Sequence, residues 1–542
     1  MIIPRPLGLS RAPGRFVLPA ALQLTAGPGT LRAAELLAGY LGPDRPRTVS
    51  GPGIRLALAP LPDLPGTRAS RWAEAESYRL RIAPDGVELT APHETGLLRG
   101  VQTLRLLLPA ETARPAEAPP DAWWWPCLDL ADAPALPWRG MMLDVARHFM
   151  PVRFLYEFVD RLALHKLNVL HLHLTDDQGW RIEIDGLPRL TEVGAWRAES
   201  MVGPAGSDRF DGTPHGGYYT ARELRDLVAY ADARGVRVVP EIEMPGHARA
   251  ALAAYPELGA RQGPALPVWS SWGVCEDILG VHDAALDFCC RVLEQTIDIF
   301  PDRYVHLGGD ECPLGQWEAG AAARERAAAL GLESPTRLHG WFLGQMHAFL
   351  AERGRRAVGW DGPGAGDLPA GMVLAAWLDA ADAARSVERG HQVILAPHQS
   401  TFLDYPQRDH PDEPQGQPDG VTTLEDVYNY DPLATGNVGA AAGGRLPVVD
   451  PFDTGRAGSG SWEGLPAGVL GAQAQLWTEF APTPAHVRYL VFPRLCAFAE
   501  TAWSAGPCDF PGFQDRLAQH TRLLAQLGEL EPVVATPGTM EA

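Results

Sequence analysis

The chain has 542 residues, of which 46% are apolar and 21% are charged, and its formal net charge is −20. This composition excludes a disordered or fibrous protein, and the length allows two or three domains with a large buried core. The acidic balance argues against nucleic acid or an anionic membrane as a partner, because either would require clustered Lys and Arg. The acidic balance is compatible with a neutral substrate.

The N-terminus has no charged segment followed by an apolar one, and no run approaches the roughly 18 apolar residues of a membrane span. We therefore expect a cytoplasmic protein with reduced thiols. The seven cysteines show no metal-ligand spacing, although Cys275 and Cys312 are expected to approach each other in neighbouring loops. Lys166, the only lysine, is predicted to lie at a helix end, which removes most Schiff-base chemistry from consideration.

Residues 1–130 are predicted to form a small α+β domain. Residues 78–82 and 87–90 alternate like half-buried strands around a Pro-Asp-Gly turn, and leucines recur at helical spacing in residues 30–40 and 96–108. Residues 113–120 have the composition of a surface loop or linker. The following tryptophans, Trp123–Trp125, are expected to pack between domains.

From Trp138 onwards, short apolar strands alternate with amphipathic helices, which predicts βα units and a parallel sheet. Eight strands are predicted, at residues 140–145, 168–174, 236–242, 304–309, 357–360, 372–377, 392–396 and 469–477. Helices are predicted at residues 152–165, 221–234, 284–300, 336–353, 380–389 and 483–504. The pattern favours an α/β fold, a (β/α)₈ TIM barrel over residues 131–505, followed by a C-terminal helix and tail over residues 506–542. A doubly wound sheet is less favoured because no Gly-rich phosphate loop is present. The long insertion at residues 397–466 is predicted to form a lid or rim.

In such a barrel, function collects where the strands end, because the βα loops build the active face. Polar and aromatic residues follow the predicted strands one after another: Asp144, Asp176, Asp177, Glu241, Glu243, His247, Asp310, Glu311, Trp360, Asp361, Trp377, Asp404, Trp477 and Glu479. Their arrival from at least seven different strands predicts a shared site.

The segment Val305–Glu311 is the predicted centre of that site. Its apolar run ends in two glycines and then places Asp310 and Glu311 side by side. Adjacent acids repel each other, so one is easily kept protonated near neutral pH, and a neutral acid can protonate a leaving group. Tryptophan faces stack on sugar rings while carboxylates bind hydroxyls, so the whole set predicts a carbohydrate site.

Several long motifs resemble the β-N-acetylhexosaminidases of glycoside hydrolase family 20. They are Trp138–Gly140, Leu143–Asp144, Arg147–Phe149, Lys166–Asn168, His171–Arg181, Pro240–His247, His306–Glu311, Gly359–Asp361 and Leu476–Glu479. The segment Gly96–Leu104 also resembles the end of the family's small N-terminal domain. The resemblance covers nearly the whole chain and implies the same two-domain fold.

The resemblance implies a retaining, exo-acting enzyme in which the substrate's own 2-acetamido oxygen is the nucleophile. Glu311 would be the acid and base, and Asp310 would hold the acetamido N–H and stabilise the charge that develops there. Terminal N-acetylglucosamine or N-acetylgalactosamine in an oligosaccharide or glycoconjugate is the implied substrate, and no cofactor or metal is expected.

The remaining site residues are also assigned by resemblance. Arg139 would bind the sugar's 3- and 4-hydroxyls, and Glu479 the 4- and 6-hydroxyls. Asp404 is expected to contact the acetamido group. Three tryptophans, Trp360, Trp377 and Trp477, would enclose that group, while Asp176 and His247 would form a polar network behind Glu311.

One position departs from the family pattern. The family usually has Tyr-x-Asp after strand seven, and its hydroxyl binds the acetamido oxygen, whereas this chain has Phe402-Leu403-Asp404. A phenyl ring cannot donate that hydrogen bond. Tyr405 could supply it instead, the enzyme could be slow, or its preferred substrate could be unusual.

Two other classes of function stay open from the sequence. A His-x-His pair on a barrel strand, His171 and His173, is how metal-dependent amidohydrolases begin their metal site. That chemistry would need further histidines and a metal-bound Asp at later strands, where this chain has tryptophans. A catalytically impaired sugar-binding homologue is the other alternative, suggested by Phe402 alone.

Overall fold

The computed structural model describes residues 2–42, 53–62, 71–114, 117–118, 122–261, 263–264, 266–362, 368–432, 468–504 and 509–530. The second half of the 397–466 insertion, part of the 113–120 linker, Cys508 and the last residues of the predicted tail lie outside the described residues. None of the helices described is long and apolar enough to cross a membrane.

In the described residues of the N-terminal domain, a six-stranded sheet packs with three helices. Its strands are β1 Gly8–Val17, β2 Gln23–Ala26, β3 Gly53–Leu58, β4 Tyr78–Ala83, β5 Gly86–Ala91 and β6 Trp124–Asp132, in the spatial order β1-β6-β4-β5-β3-β2. The helices are Leu31–Tyr40, Arg71–Glu76 and Glu94–Leu107, with a 3₁₀ turn at Ala110–Ala113. The alternation in β4 and β5 appears as alternating burial, with one face against the helices and the other exposed.

The tryptophan run belongs to this domain. Trp125 lies in β6, stacks on Phe16 at 6.2 Å and donates its indole N–H to the carbonyl of Leu104 at 2.8 Å. The prediction that the run packs between domains is therefore wrong for Trp125, which fills the core of the small domain.

Eight parallel strands close into a barrel in the order of the chain, which confirms the predicted fold class. They are β7 Trp138–Asp144, β8 Val169–His173, β9 Arg237–Glu241, β10 Tyr304–His306, β11 Arg356–Trp360, β12 Val373–Ala376, β13 Gln392–Leu395 and β14 Val469–Leu476. One residue from each strand contributes to an apolar layer that fills the barrel interior: Trp138, Val169, Val239, Tyr304, Val358, Val373, Ile394 and Leu470. A second layer towards the carboxyl ends contains Met142, Trp360 and Ala375. The interior is thus a packed core, and the pocket described below lies above its second layer.

The main helices that cover the barrel are Val152–Leu164, Ala221–Asp232, Asp283–Ile299, Leu338–Glu352, Ala380–Glu388, Pro484–Val491 and Arg494–Trp503. Shorter helical segments lie in the loops, at Arg189–Glu192, Arg249–Ala254, Pro256–Leu258, Gly315–Ala319, Ala321–Ala329, Pro335–Arg337, His398–Thr401 and Leu424–Asn429. The helix predicted over residues 483–504 is two helices, because Pro493 has no N–H for the helical ladder. Ala221–Asp232 begins where expected, with a capping box between Thr220 and Glu223.

The C-terminal helix Phe510–Gln526 packs on the outside of the barrel through buried contacts. His520 on this helix lies with Nε2 2.9 Å from Nε2 of His165, and Cys496 Sγ lies 3.4 Å from the same nitrogen of His165. All three side chains are buried. The three groups are spaced for hydrogen bonds that join the last helix to two barrel helices.

A buried ionic network joins the small domain to the amino-terminal end of the barrel. Glu76 accepts hydrogen bonds from Arg99 and Arg139, each at 2.6 Å. Asp132 pairs with Lys166 at 2.6 Å and accepts from the indole N–H of Trp503 at 3.0 Å. Burial would raise the pKa of Glu76, but the two guanidinium groups lower it to about 2. The lone lysine is therefore a structural ion-pair partner.

Candidate active site

A cavity of about 560 Å³ opens at the carboxyl ends of the barrel strands. Of the ten residues to which the resemblance assigns a role, nine line it: Asp176, His247, Asp310, Glu311, Trp360, Trp377, Asp404, Trp477 and Glu479. The exception is Arg139. The cavity is also lined by Phe402 and Tyr405, and by three residues without a role predicted from the sequence, Arg147, Glu243 and Trp272.

Two glycines set the position of the acid pair. After β10, Gly308 and Gly309 have φ values of 62° and 91°, and Glu311 itself has a φ of 44°. A Cβ atom on Gly308 would lie 1.7 Å from Oε2 of Glu243, so another residue at this positive φ would be strained and would displace the Glu243 side chain. The backbone N–H of Gly309 donates to the same carboxyl oxygen at 3.3 Å. Glu243 thus packs directly under the loop that carries Asp310 and Glu311.

Glu311 is held by a charged histidine. Nε2 of His247 lies 3.5 Å from Oε2 of Glu311, and its Nδ1–H faces Asp176 at 3.1 Å and Asp177 at 3.0 Å. Although burial opposes a charge on His247, the carboxylates around it, Asp176 first, raise its pKa well above the usual value. The hydrogen bond from His247 lowers the pKa of Glu311. The polar network expected behind Glu311 is therefore present, with Asp177 as an additional member.

The surroundings of the acid pair favour a proton on Asp310 over one on Glu311. Burial, and then the negative charge of Glu311, raises the pKa of Asp310 to about 7. The adjacency of the two acids predicts one shared proton, and the geometry agrees. The geometry does not favour that proton on Glu311, because His247 stabilises the Glu311 carboxylate. Among the described residues, no cation contacts Asp310 as closely.

Arg147 lies in the pocket, and Arg139 does not. Arg139 is the second residue of β7, at the amino end of the barrel, where its guanidinium bonds Glu76 and the carbonyl of Lys166. Arg147 follows the end of β7; it contacts Asp176 at 2.8 Å and lies over the ring of Trp477 at 4.9 Å. Arg147 also approaches Glu479 at 3.5 Å. The assignment of a sugar-binding role to Arg139 is thus wrong, since the active face is at the opposite end of the strand.

We expect Arg147→Lys to lower kcat/KM by roughly 10- to 100-fold, because the forked guanidinium that arranges Asp176 and Glu479 is lost while the charge remains. Arg139→Lys is the matched control. Thermal denaturation should show a lower Tm for Arg139→Lys, with KM of the folded enzyme within about two-fold of wild type. A raised KM in Arg139→Lys alone would restore the assignment made from the sequence.

Aromatic rings form the wall of the pocket. Trp360 and Trp477 lie 5.7 Å apart, and Trp377 stacks on Phe402 at 6.4 Å with an interplanar angle of 26°. The indole N–H of Trp360 donates to Glu241 at 2.7 Å, which fixes the ring. Such a wall suits the apolar face of a small neutral group.

The histidines of the barrel interior serve that wall. His171, His173 and His306 all contact the carboxylate of Glu241, which also accepts from the indole N–H of Trp360. These groups, like Asp176, Asp177 and His247, have ligand atoms close enough to hold a metal ion, but each is spaced for hydrogen bonds within the network that orients Trp360 or Glu311. His171 and His173 therefore have a structural role in the network that orients Trp360. The amidohydrolase alternative is not needed to explain this pair.

Four polar atoms at the pocket are buried without a hydrogen-bond partner in the part of the chain that the structure describes. They are Nε1 of Trp272, Nε1 of Trp377, Oδ1 of Asp404 and Oε2 of Glu479. Burial raises the pKa of Asp404 well above its usual value and also raises that of Glu479. Unpaired buried polar groups cost about 1–3 kcal/mol each, so the pocket is built to receive the hydroxyl or amide groups of a ligand.

Phe402 lies in the pocket wall next to Trp377, as expected from its place in the sequence. The hydroxyl of Tyr405, which also lines the pocket, lies 3.3 Å from Nδ1 of His398. Cys275 and Cys312 are both free thiols, so no disulfide joins them.

Comparison with known proteins agrees with this geometry. Residues 136–506 match the model of the glycosyl hydrolase family 20 catalytic domain, and residues 1–122 match domain 2 of the same family. The chain belongs to glycosyl hydrolase family 20. The resemblance noted in the motifs is confirmed, and the protein is a glycoside hydrolase.

Family 20 relatives resemble the chain over most of its length. A β-hexosaminidase of Porphyromonas gingivalis is 34% identical over 95% of this chain. The match covers 62% of that relative, so the chain spans less than two thirds of the relative's length. A β-N-acetylhexosaminidase of Cellulomonas fimi is 31% identical over 99% of this chain and 97% of its own. Among solved structures, the N-acetyl-β-hexosaminidase of Streptomyces plicatus in complex with Thio-NAglucal has a TM-score of 0.77 and 32% identity, covering 97% of this chain and 95% of that one.

Proposed function

We propose that the protein is a retaining, exo-acting β-N-acetylhexosaminidase that removes terminal N-acetylglucosamine or N-acetylgalactosamine by substrate-assisted catalysis. The observation that carries this proposal is the arrangement of Asp310 and Glu311 on one loop at the base of a tryptophan-walled pocket. A solved relative, the family 20 exo-β-N-acetylglucosaminidase of Vibrio harveyi, is described in complex with N-acetylglucosamine; it has a TM-score of 0.79 and 29% identity, covering 97% of this chain and 77% of that one.

Four other carboxylates of the pocket are poor candidates for an enzymic nucleophile. Asp176 is paired with Arg147 and His247, and Glu243 packs under Gly308. Burial favours the neutral form of Asp404 and Glu479. A nucleophile that belongs to the substrate removes the need for a second carboxylate at the anomeric carbon, and family 20 is among the groups known to react in this way.

In the proposed reaction, the acetamido oxygen attacks the anomeric carbon while Glu311 protonates the glycosidic oxygen, and the aglycone leaves. Asp310 accepts a hydrogen bond from the acetamido N–H and stabilises the positive oxazolinium group that forms. A water molecule then attacks the anomeric carbon while Glu311 takes a proton from it, and the oxazolinium ring opens. The two displacements together give retention of configuration.

Substrate binding would shift the proton of the acid pair from Asp310 to Glu311. A hydrogen bond to a carboxylate lowers its pKa, so the acetamido N–H favours the ionised form of Asp310. The shared proton then moves to Glu311, whose side chain is 46% exposed to the open pocket and loses water when the sugar enters. The pair thus keeps one proton, which moves from Asp310 to Glu311.

This arrangement makes a prediction about pH. The competent pair carries one proton, and the pKa of Asp310, about 7, marks where the free enzyme loses it. The proton is present below that pH and lost above it, so kcat/KM should fall as the pH rises through about 7. A pH series of initial rates measures this limb. A kcat/KM that is flat up to pH 9 would contradict the shared proton.

The proposed chemistry is tested with 4-nitrophenyl N-acetyl-β-glucosaminide and its mono-, di- and trifluoroacetyl analogues. Fluorine withdraws electrons from the acyl oxygen, so rates should fall steeply along the series if that oxygen is the nucleophile. The first anomer seen by NMR should be β. Comparable hydrolysis of the plain β-glucoside, which lacks an acetamido group, would count against the proposal.

Phe402→Tyr is expected to raise kcat/KM on N-acetylglucosaminides, because the new hydroxyl can donate to the acetamido oxygen. One such donor contributes on the order of 10²–10³ in rate where charge develops, and roughly a tenth of that gain would already be measurable. Steady-state rates of the variant and of Phe402→Leu, which adds no hydroxyl, give the comparison. An unchanged or lower rate for Phe402→Tyr would show that the site is already complete.

A further inference from the structure

Three side chains with metal-ligating atoms meet in the protein interior, away from the pocket: His165, Cys496 and His520, here called the His–Cys–His cluster. Nε2 of His165 lies 2.9 Å from Nε2 of His520 and 3.4 Å from Sγ of Cys496. All three ligand atoms lie within 4.8 Å of one another, and each residue is at most 2% exposed. None of the three lines the active-site pocket. The cluster is therefore separate from the proposed reaction.

The cluster joins three helices. His165 directly follows the helix that ends at Leu164. Cys496 lies on the helix that ends at Trp503, and His520 lies on the C-terminal helix. Leu164 and Trp503 also belong to the hydrophobic core of the small domain. The ligands from the later helices are 331 and 355 positions from His165, so the cluster has no spacing signature in the sequence.

The ring of His165 is held in the orientation that a metal ligand needs. Its Nδ1–H donates to the carbonyl of Arg161 at 2.8 Å, because that oxygen can only accept, and the lone pair is therefore on Nε2. Burial lowers the pKa of His165 to about 4, so the imidazole is neutral near pH 7. A backbone carbonyl at the other ring nitrogen is a common way of fixing a metal-binding histidine. The lone pair of Nε2 thus faces Cys496 and His520.

Hydrogen bonds within the cluster leave one donor poorly satisfied. Nε2 of His165 offers one lone pair, while both the thiol of Cys496 and Nε2 of His520 lie close to it. A metal ion bound by all three atoms removes this competition. Metal–nitrogen bonds of about 2.0 Å and metal–sulfur bonds of about 2.3 Å place such ligand atoms roughly 3.3–3.8 Å apart. Only the shorter of the two observed contacts has to lengthen, by roughly 0.5 Å.

We propose that the His–Cys–His cluster binds one thiolate-preferring metal ion as a structural site, and that Cu⁺ fits it better than Zn²⁺. Thiolate and imidazole are ligands that both ions accept. Binding releases the thiol proton of Cys496 to solvent, so two neutral imidazoles and one thiolate form an uncharged complex with Cu⁺ and a cationic one with Zn²⁺. A buried, unpaired charge is costly, which favours Cu⁺.

The number of ligands points the same way. Structural Zn²⁺ almost always has four protein ligands. Among the described residues, the group formed by these three contains no fourth His, Cys, Asp or Glu. The bound ion would fasten the C-terminal helix to the two barrel helices beside the small domain. This inference does not depend on the proposed function, because the cluster is outside the pocket.

The site is tested on full-length protein produced in media supplemented with copper, zinc or cobalt, since a buried site is loaded most readily while the chain folds. Wild-type protein purified without chelators is expected to hold about one copper ion per chain by mass spectrometry. Co²⁺ is the spectroscopic probe, and a thiolate-to-cobalt charge-transfer band in the near ultraviolet should appear. The other groups of described residues that could hold a metal contain only histidines and carboxylates, so this band reports the cluster.

Cys496→Ser and His520→Gln are expected to lower the metal content at least 10-fold, and Cys496→Ser to abolish the band. In the wild type, the ion should raise the Tm by roughly 2–3 °C at 100 times its Kd, and the variants should lose this rise. Cys289→Ser is the matched control, because Cys289 is equally buried and belongs to none of the groups spaced for a metal. It should keep the metal, the band and the rise in Tm.

Wild-type protein that carries neither metal nor band from any of the three media would overturn the inference, whether or not the variants fold. A Cys496→Ser variant that keeps its metal content would overturn it as well. Competition with a copper-selective and a zinc-selective chelator separates the two ions. Copper retained more firmly than zinc supports the three-coordinate Cu⁺ site, and the reverse order would overturn that choice of ion.

Discussion

Glu311→Gln is expected to lower kcat/KM for N,N′-diacetylchitobiose by about 10²–10⁴-fold, the usual contribution of a general acid. The amide keeps the size of the side chain and can still face His247, 3.5 Å away in the wild type, but it cannot give a proton to the glycosidic oxygen. The loss should therefore be in chemistry and not in folding, and the Tm should change little. Initial rates and thermal denaturation of the same preparation measure both.

The leaving group provides the internal control for Glu311→Gln. A 2,4-dinitrophenyl aglycone is a stable anion and needs little protonation, so its cleavage should lose far less than that of the disaccharide. Equal losses on the two substrates would mean that Glu311 does not act as the acid in bond cleavage, and the role proposed for it would have to be given up.

Much of the fold could be predicted from the sequence because the barrel strands are short apolar runs that end in polar groups. The eight predicted strands overlap the eight observed ones. The first strand of the small domain was not predicted, since Gly8–Val17 is an edge strand, exposed along nearly its whole length, and has no hydrophobic alternation. The break at Pro493 could have been predicted, because proline rarely continues a helix.

The site could be predicted as a set of residues and only partly as a set of roles. Arg139 and Arg147 both lie in family motifs near β7, and only their positions relative to the strand separate them: Arg139 comes at its start and Arg147 after its end. That signal was available, because function in a barrel collects after the strands. Trp272 gave no such signal, since it lies in a long loop and reaches the pocket through contacts made by distant residues.

The location of the shared proton could not be predicted from adjacency. Asp310 and Glu311 are equivalent in the sequence pattern, and the difference between them comes from His247, 64 positions before Glu311 along the chain but 3.5 Å from it in the fold. Tertiary contacts of this kind set the pKa of each acid.

Asp310→Asn is expected to lower kcat/KM by roughly 10²–10³-fold, the effect of removing one preorganised group that stabilises developing charge. Asparagine keeps the shape and can accept from the acetamido N–H, but it has no negative charge to offset the oxazolinium cation. Unlike the loss in Glu311→Gln, this loss should be similar for the dinitrophenyl and disaccharide substrates, because ring formation precedes or accompanies departure of either leaving group. The ratio of the two rates thus separates the roles of the adjacent acids.

The pH profile gives a second and independent readout of Asp310→Asn. In the wild type, the two carboxyls repel and the pair holds its proton up to about pH 7. With Asp310 neutralised, Glu311 titrates alone, and the hydrogen bond from His247 lowers its pKa. The basic limb of kcat/KM should therefore move to lower pH in the variant. A limb that stays near pH 7 would mean that the titrating group is not the Asp310–Glu311 pair, and that the proton required for catalysis is held elsewhere, with His247 as the nearest alternative.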